Sequence, residues 1–97
     1  MIVSFADRGT EDIFDGISSK AARKILPMEL HINAARKLDW INRPRNIEVL
    51  NIPPSNRLES LRGDLAGFWS IRINGQCRII FRWKSGNALN VRVTDYH

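Results

Sequence analysis

Three residues at the end of the sequence, Asp95, Tyr96 and His97, place a carboxylate, a phenol and an imidazole side by side. Because imidazole titrates near neutral pH and a carboxylate can orient or charge it, such a group can transfer protons. The triplet alone is a weak signal, since a His or Tyr at a chain end is more often a surface residue without a role. The position of the triplet strengthens the case for a catalytic role. These residues continue a predicted strand whose outward face carries Arg side chains that could hold a phosphate.

Other residues with reactive side chains give weaker signals. Cys77 follows a predicted turn with no His beside it, which favours simple partial burial over a role as nucleophile. His31 lies among polar residues of a predicted helix, where a solvated or partner-facing position is the favoured interpretation. Two His, one Cys and scattered carboxylates have no ligand spacing, and the sequence has no Gly-rich phosphate loop. We therefore predict neither a metal site nor a cofactor.

The composition indicates one basic domain spanning residues 1–97. A chain of 97 residues with 43% hydrophobic residues is long enough for one core and too short for two. Fifteen Lys and Arg against ten Asp and Glu give a net charge of +5, and eleven of the fifteen are Arg. Arg matches phosphate oxygens with a planar fork, so this excess suggests a nucleic-acid partner, although composition alone is equally compatible with a basic protein that has none.

A cytoplasmic location is expected from the cysteine usage and the first residues. Cys77 has no second thiol for an internal disulfide, which fits a reducing compartment. Asp7 and Arg8 follow the first apolar residues at once, so neither a signal peptide nor a membrane span is predicted.

The first half of the chain has the pattern of helices. Thr10 is expected to cap a short helix that runs to about Phe14, and Pro27 suits the first turn of a longer one. Apolar residues recur at helical spacing in the longer helix, at Leu30, Ala34, Leu38 and Ile41. A short helical turn is expected over residues 47–50, and a loop over residues 53–56.

From Leu58 onward the hydrophobic period becomes two, which indicates β-strands. Asn74-Gly75 predicts a tight hairpin turn with positive φ at both positions, and residues 2–5 could supply a further strand. Alternation assigns one sheet face to Trp69, Ile71, Ile73, Ile79, Phe81, Trp83, Leu89, Val91 and Val93. The opposite face then carries Arg72, Arg78, Arg82, Arg92, Thr94 and Tyr96, with Ile80 as its apolar exception. The predicted class is α+β, with helices covering the apolar face of an antiparallel sheet.

Four segments of the second half carry a family resemblance: NRLESLRGD at residues 56–64, WSIRIN at 69–74, RIIFRW at 78–83 and DYH at 95–97. In order and spacing they closely resemble the HigB toxins of the RelE superfamily. The resemblance implies a RelE-like fold, with N-terminal helices on a twisted sheet, and an enzyme that cleaves messenger RNA on the ribosome. It also implies a HigA-like helix-turn-helix antitoxin that neutralises the toxin and represses their operon, so that operator DNA is contacted only through the antitoxin.

Site residues carry over from the family position by position. Arg62 and Arg78 match basic residues of the family's active site, and Asp95, Tyr96 and His97 match its terminal catalytic group. Two positions depart from the family pattern. Glu59 stands where some members have a His, and Cys77 stands where a Trp often precedes the Arg.

The reaction that these residues suggest is attack by the 2′-hydroxyl of RNA on the adjacent phosphate, which needs a base, an acid and cations. The two active-site Arg would stabilise the phosphate, Glu59 is a candidate base, and His97 would transfer a proton as either acid or base. Asp95 would orient or charge His97, and Tyr96 would stack or hydrogen-bond. The expected RNA-binding set is Arg57, Arg72, Arg82 and Arg92. The alternative function is a non-cleaving inhibitor that binds the ribosome or DNA gyrase.

Overall fold

Helices occupy the first half of the chain and strands the second, in a computed structural model that describes residues 1–95. The α-helices are α1 (Arg8–Phe14), α2 (Lys20–Ile25) and α3 (His31–Asn42). The strands are β1 (Glu59–Ser60), β2 (Phe68–Arg72), β3 (Cys77–Lys84) and β4 (Asn87–Asp95). They form one antiparallel sheet in the order β1-β2-β3-β4. The predicted α+β class is confirmed, while the predictions for Tyr96 and His97 lie outside the described residues.

The apolar face of the sheet is covered by helices, as the alternation predicted. Ala34, Leu38 and Ile41 of α3 are completely buried in one hydrophobic cluster with Ile79 and Phe81 of β3. Burying a large aliphatic or aromatic side chain stabilises a fold by about 1.5–3 kcal/mol. This cluster therefore holds the helical layer against the sheet. Within residues 1–95, no helix is long and apolar enough to cross a membrane.

Helix α1 begins three residues earlier than predicted. The carboxylate of Asp7, and not Thr10, caps the helix by accepting from the backbone N–H of Thr10 at 2.7 Å. Thr10 is completely buried, and its Oγ1 accepts from the backbone N–H of Val93 in β4 at 3.0 Å. Asp and Thr are both good N-caps, so only packing against the sheet selects between them.

The start of α3 also differs from the prediction. The helix begins at His31 and not at Pro27, because a one-turn 3-10 helix over Met28–Leu30 comes first. Helix α2, which the sequence pattern did not predict, is capped by the hydroxyl of Ser19. That hydroxyl also donates to the carboxylate of Asp12 at 2.6 Å, so it joins α1 to α2.

The hairpin between β2 and β3 forms at the predicted place but with a different turn. Neither Asn74 nor Gly75 has a positive φ. The side-chain oxygen of Asn74 accepts from the backbone N–H groups of Gln76 at 2.9 Å and Cys77 at 2.7 Å. Asn favours such turns because its amide imitates a backbone carbonyl. The prediction of a hairpin at Asn74 is therefore confirmed, whereas the predicted two-residue turn with positive φ was wrong.

A bulge in β4 changes the face on which Leu89 lies. Asn90 has a φ of 53° and lies beside the register shift between β3 and β4. Leu89 pairs with Arg82, whereas its neighbour Ala88 pairs with Trp83 and is completely buried. A bulge inserts one unpaired residue, so the alternation before it is opposite to the alternation after it. The predicted core position of Leu89 was wrong for this reason.

The N-terminal segment lies along the outer edge of β4. Ile2 forms a parallel bridge with Ala88, and Phe5 forms another with Val91. The expected extra strand is thus present as two isolated bridges, which cover an edge that could otherwise pair with another chain.

Candidate active site on the arginine face

The side of the sheet that faces away from the core carries five of the eight predicted site residues that the structure describes. Strand pairing arranges the side chains of this surface in three rows across the sheet. The first row is Arg72, Arg78 and Thr94. The second is Glu59, Ser70, Ile80 and Arg92, and the third is Phe68, Arg82 and Leu89. We call the surface formed by these ten residues the arginine face. It has four Arg and one carboxylate, so its net charge is strongly positive.

Arg78 has a largely enclosed side chain with two described contacts. Its Nη2 donates to the backbone carbonyl of Arg57 at 2.9 Å and lies 3.7 Å from Oε1 of Glu59. The side chain of Arg78 is 13% exposed, whereas that of Glu59 is 50% exposed. The cation is therefore held in place, and the carboxylate beside it is open to solvent and to a ligand.

The loop that reaches Arg78 is held by a buried amide. Asn56 is 1% exposed, and its Nδ2 donates to the carbonyl of Leu50 at 3.1 Å, while Lys37 of α3 donates to its Oδ1. The next residue, Arg57, has the left-handed backbone conformation, with a φ of 48°. This conformation is uncommon outside glycine, and at this position it accompanies the contact between the Arg57 carbonyl and Arg78.

The remaining Arg of the face have their own supports. Nε of Arg72 donates to the carbonyl of Asn74 at 3.1 Å, and the guanidinium of Arg82 lies 4.5 Å from the ring centre of Phe68. Arg92 is exposed. Because Arg72 and Arg78 are directly opposite on neighbouring strands, they repel each other, and an anion bound between them would relieve that repulsion.

Arg62 and Asp95 are positioned differently from Arg78. Arg62 is exposed, just before the 3-10 helix Gly63–Leu65. Asp95 pairs with Cys77, whose side chain belongs to the core cluster, so Asp95 alternates with Thr94 and lies on the other side of β4.

Burial, and then the charge of Asp95, raise the pKa of the Cys77 thiol. A raised pKa keeps the thiol protonated at neutral pH, which agrees with the expectation that Cys77 is no nucleophile.

Two residues of the arginine face are completely buried, Ser70 and Ile80. Ile80, the apolar exception in the sequence pattern, lies outside the main core cluster and forms an apolar floor between the Arg side chains. Ser70 was not assigned a role from sequence. It lies directly opposite Glu59, and within residues 1–95 its hydroxyl has no hydrogen-bond partner. Ser70 is two residues from Arg72 on the same strand, so alternation places both on one face. This signal could have identified Ser70 as a residue of the arginine face.

These contacts define what the face can do chemically. A fixed guanidinium stabilises the charge on a phosphate, and a carboxylate next to it can accept a proton from a hydroxyl of the same ligand. Within residues 1–95, no three His, Cys, Asp or Glu side chains come together as a metal site requires. The groups described on the arginine face therefore suit a phosphodiester as ligand.

A comparison with protein families decides the classification. The family described as the RelE-like toxin of type II toxin-antitoxin system HigB matches residues 3–97, almost the whole chain. The chain belongs to this family. The recognition from sequence motifs is thereby confirmed, and membership of a type II system implies an antitoxin as partner.

Two relatives found by sequence carry the name HigB. The chain is 36% identical over 90 residues to Toxin HigB-1 of Vibrio cholerae, covering 93% of this chain and 92% of the relative. It is 28% identical over 102 residues to the Endoribonuclease HigB of Proteus vulgaris, with 100% of both chains covered. A solved YoeB/ParE toxin from Agrobacterium tumefaciens matches with a TM-score of 0.47 and 21% identity, covering 100% of this chain and 99% of the other.

Proposed function

We propose that this toxin is an endoribonuclease that cleaves messenger RNA on the ribosome and thereby stops translation in the cytoplasm. The observation that carries the proposal is the position of Arg78, which is fixed by the Arg57 carbonyl and has the carboxylate of Glu59 beside it. The family membership and the name of the Proteus vulgaris relative, an endoribonuclease, support it.

The reaction would use the nucleophile that RNA itself provides. The 2′-hydroxyl oxygen attacks the adjacent phosphorus and forms a new P–O bond, while the bond to the 5′-oxygen of the next nucleotide breaks. A base takes the proton of the 2′-hydroxyl, and an acid gives a proton to the leaving oxygen. The products are a 2′,3′-cyclic phosphate and a 5′-hydroxyl end.

We assign the steps to the residues that the sequence and the site suggest. Arg78, with Arg62, would stabilise the charge that develops on the phosphate. Glu59 would act as the base, because its exposed carboxylate is adjacent to Arg78, and His97 would then give a proton to the leaving group. Asp95 would orient His97, and Tyr96 would stack on or hydrogen-bond to the RNA. The remaining contacts to RNA would come from Arg57, Arg72, Arg82 and Arg92.

Dependence on the ribosome follows from the small number of acid and base groups. The imidazole and the carboxylate proposed as acid and base are a weak set for a ribonuclease, whereas correct orientation of the reacting groups can lower a barrier by about 7–11 kcal/mol. We therefore infer that the ribosome orients the message for cleavage. The antitoxin would be a HigA-like helix-turn-helix protein, and contact with operator DNA would occur through it.

The experiment compares free and ribosome-bound message with purified toxin. We expect cleavage of messages held on ribosomes and little cleavage of the same RNA alone. Equal cleavage of both would contradict the dependence on the ribosome. Inhibited translation with intact message would contradict the nuclease function and favour a blocking inhibitor.

A further inference from the structure

A second basic site lies at the far end of the β3–β4 hairpin, away from Arg78. It is a polar cleft of about 500 Å³ between the end of α3 and the hairpin turn. Its lining residues are Met1, Asn42, Arg43, Arg45, Ser85, Gly86 and Asn87. Arg78 and Lys84 are six residues apart on β3, which corresponds to about 20 Å along the strand. The cleft is therefore separate from the candidate active site.

The backbone of the cleft is held together around Gly86. Gly86 has a φ of 79°, and a Cβ at this position would come within 3.2 Å of the carbonyl oxygen of Arg45. The amino group of Met1 donates to the carbonyl of Gly86 at 3.3 Å. The chain segment before β1, the hairpin turn and the N-terminal residue thus meet at one point, which fixes the base from which Arg45 extends.

The polar groups of the cleft are mainly donors. Arg43 forms an ion pair with Asp39, whereas within residues 1–95 the exposed side chain of Arg45 has neither a hydrogen bond nor an ion pair. The Oδ1 of Asn42 already accepts from the backbone N–H of Ile2 at 2.7 Å, so the amide NH₂ of Asn42 is the group left for a ligand. The guanidinium of Arg45 and the amide NH₂ of Asn42, beside the ion-paired Arg43, favour an anion with several acceptor oxygens, as a phosphate has.

We propose that this cleft binds a backbone phosphate of RNA, at a contact distinct from the phosphate held near Arg78. The choice of RNA rests on the proposed function. One phosphate group cannot contact both basic sites, because they lie about 20 Å apart. This distance also exceeds the Debye length of about 10 Å at 0.1 M salt, so the two sites bind different phosphates. A nucleic-acid strand can reach both sites at once, and a free nucleotide cannot. The cleft thus holds an RNA strand and leaves the cleavage chemistry to the arginine face.

The test measures binding apart from cleavage. The probe is a fluorescent single-stranded RNA with 2′-O-methyl groups, which lacks the 2′-hydroxyl nucleophile. Arg45→Gln removes one guanidinium charge from the cleft, and Arg36→Gln removes the charge of another exposed Arg, which lies on α3 outside the cleft. Loss of one charge-assisted hydrogen bond of about 1.4 kcal/mol corresponds to about tenfold weaker binding. For Arg45→Gln we also expect the slope of log affinity against log salt to fall by roughly 0.7.

The outcomes separate this proposal from the proposed function. It is supported if Arg45→Gln weakens RNA binding about tenfold while Arg36→Gln changes it much less. It is overturned if the two variants lose the same affinity, or if inorganic phosphate alone binds at Arg45 while RNA affinity is unchanged by the substitution. If the wild-type toxin cleaves message and Arg45→Gln binds RNA normally, only the proposal that the cleft binds RNA is refuted. A toxin that cleaves nothing, yet loses RNA affinity on Arg45→Gln, refutes the nuclease proposal only.

Discussion

Arg78 and Arg57 are separated by 21 residues in the chain, and the guanidinium of Arg78 donates to the backbone carbonyl of Arg57 at 2.9 Å. This contact ties the sheet to the loop that precedes β1. The carbonyl is part of a residue with left-handed backbone, directly after the buried Asn56. The orientation of the proposed phosphate-binding group therefore depends on a loop as well as on the strand that carries it.

Substitution of Arg78 tests its role in stabilising the phosphate. Loss of one donor to a developing charge lowers a rate by about 10²–10³, so Arg78→Ala should slow single-turnover cleavage on programmed ribosomes by that factor. Arg78→Lys keeps the charge but loses the planar fork, and we expect an intermediate rate. Circular dichroism checks that both variants are folded. A wild-type rate for Arg78→Ala would show that the phosphate lies elsewhere.

Removal of the buried amide tests the support from the loop. Asn56→Ala leaves the carbonyl of Leu50 without its donor, and we expect the free energy of unfolding to fall by about 1–3 kcal/mol. Cleavage should also decrease, because Arg57 would no longer be held beside Arg78. Ser55→Ala, at an exposed position of the same loop, is the matched control and should change neither quantity. Equal stability of the two variants in urea would refute the anchoring role.

The helical layer contains a carboxylate whose charge contributes to stability. The hydrogen bond from Ser19 is the largest single cause that holds the pKa of Asp12 below its ordinary value of 3.8. The hydrogen bond and the charge of Arg8 act in the same direction, and burial opposes them. The carboxylate therefore stabilises the fold above pH 3.8, and this contribution is lost as the pH falls through the lower pKa of the folded state. The stability difference between wild type and Asp12→Asn should accordingly shrink in acid, which thermal unfolding at a series of pH values measures. A difference that stays constant from neutral pH into acid would contradict this prediction.

His97 is proposed to transfer a proton, and it lies outside the described residues. Because a general acid or base contributes about 10²–10⁴ in rate, His97→Ala should slow single-turnover cleavage by about that range. Binding of the toxin to ribosomes should change far less. An unchanged rate would assign the proton transfer to Glu59, Asp95 or Tyr96.

Much of the fold was predictable because alternation and helical spacing report directly on burial. The predicted helix face was Leu30, Ala34, Leu38 and Ile41. The last three are completely buried, whereas Leu30 lies in the 3-10 turn before α3 and is partly buried. The same reasoning failed at Leu89, because a single extra residue at Asn90 reverses the alternation. Asn tolerates a positive φ, but a single Asn within a strand pattern does not by itself predict a bulge.

The residue types of the candidate site were predictable, but the hydrogen bonds that hold the loop beside Arg78 were not. Arg78 and Glu59 were named from sequence, and the structure places them in an ion pair. No pattern in the sequence indicates that Asn56, in a Pro-rich loop, is buried and holds that loop. Its partners, Leu50 and Lys37, are brought to it by tertiary packing, which local pattern does not encode. The catalytic roles of Arg62, Asp95 and the two residues after it stay predictions.

Mapping of RNA 5′ ends in cells shows whether this toxin cuts translated messages. After a brief pulse of expression, we expect new 5′-hydroxyl ends within the coding regions of translated messages. We expect none in untranslated transcripts and none in cells that express Arg78→Ala. Arrest of translation by the wild-type toxin without any new 5′ ends would contradict the nuclease function, because it would show inhibition without cleavage.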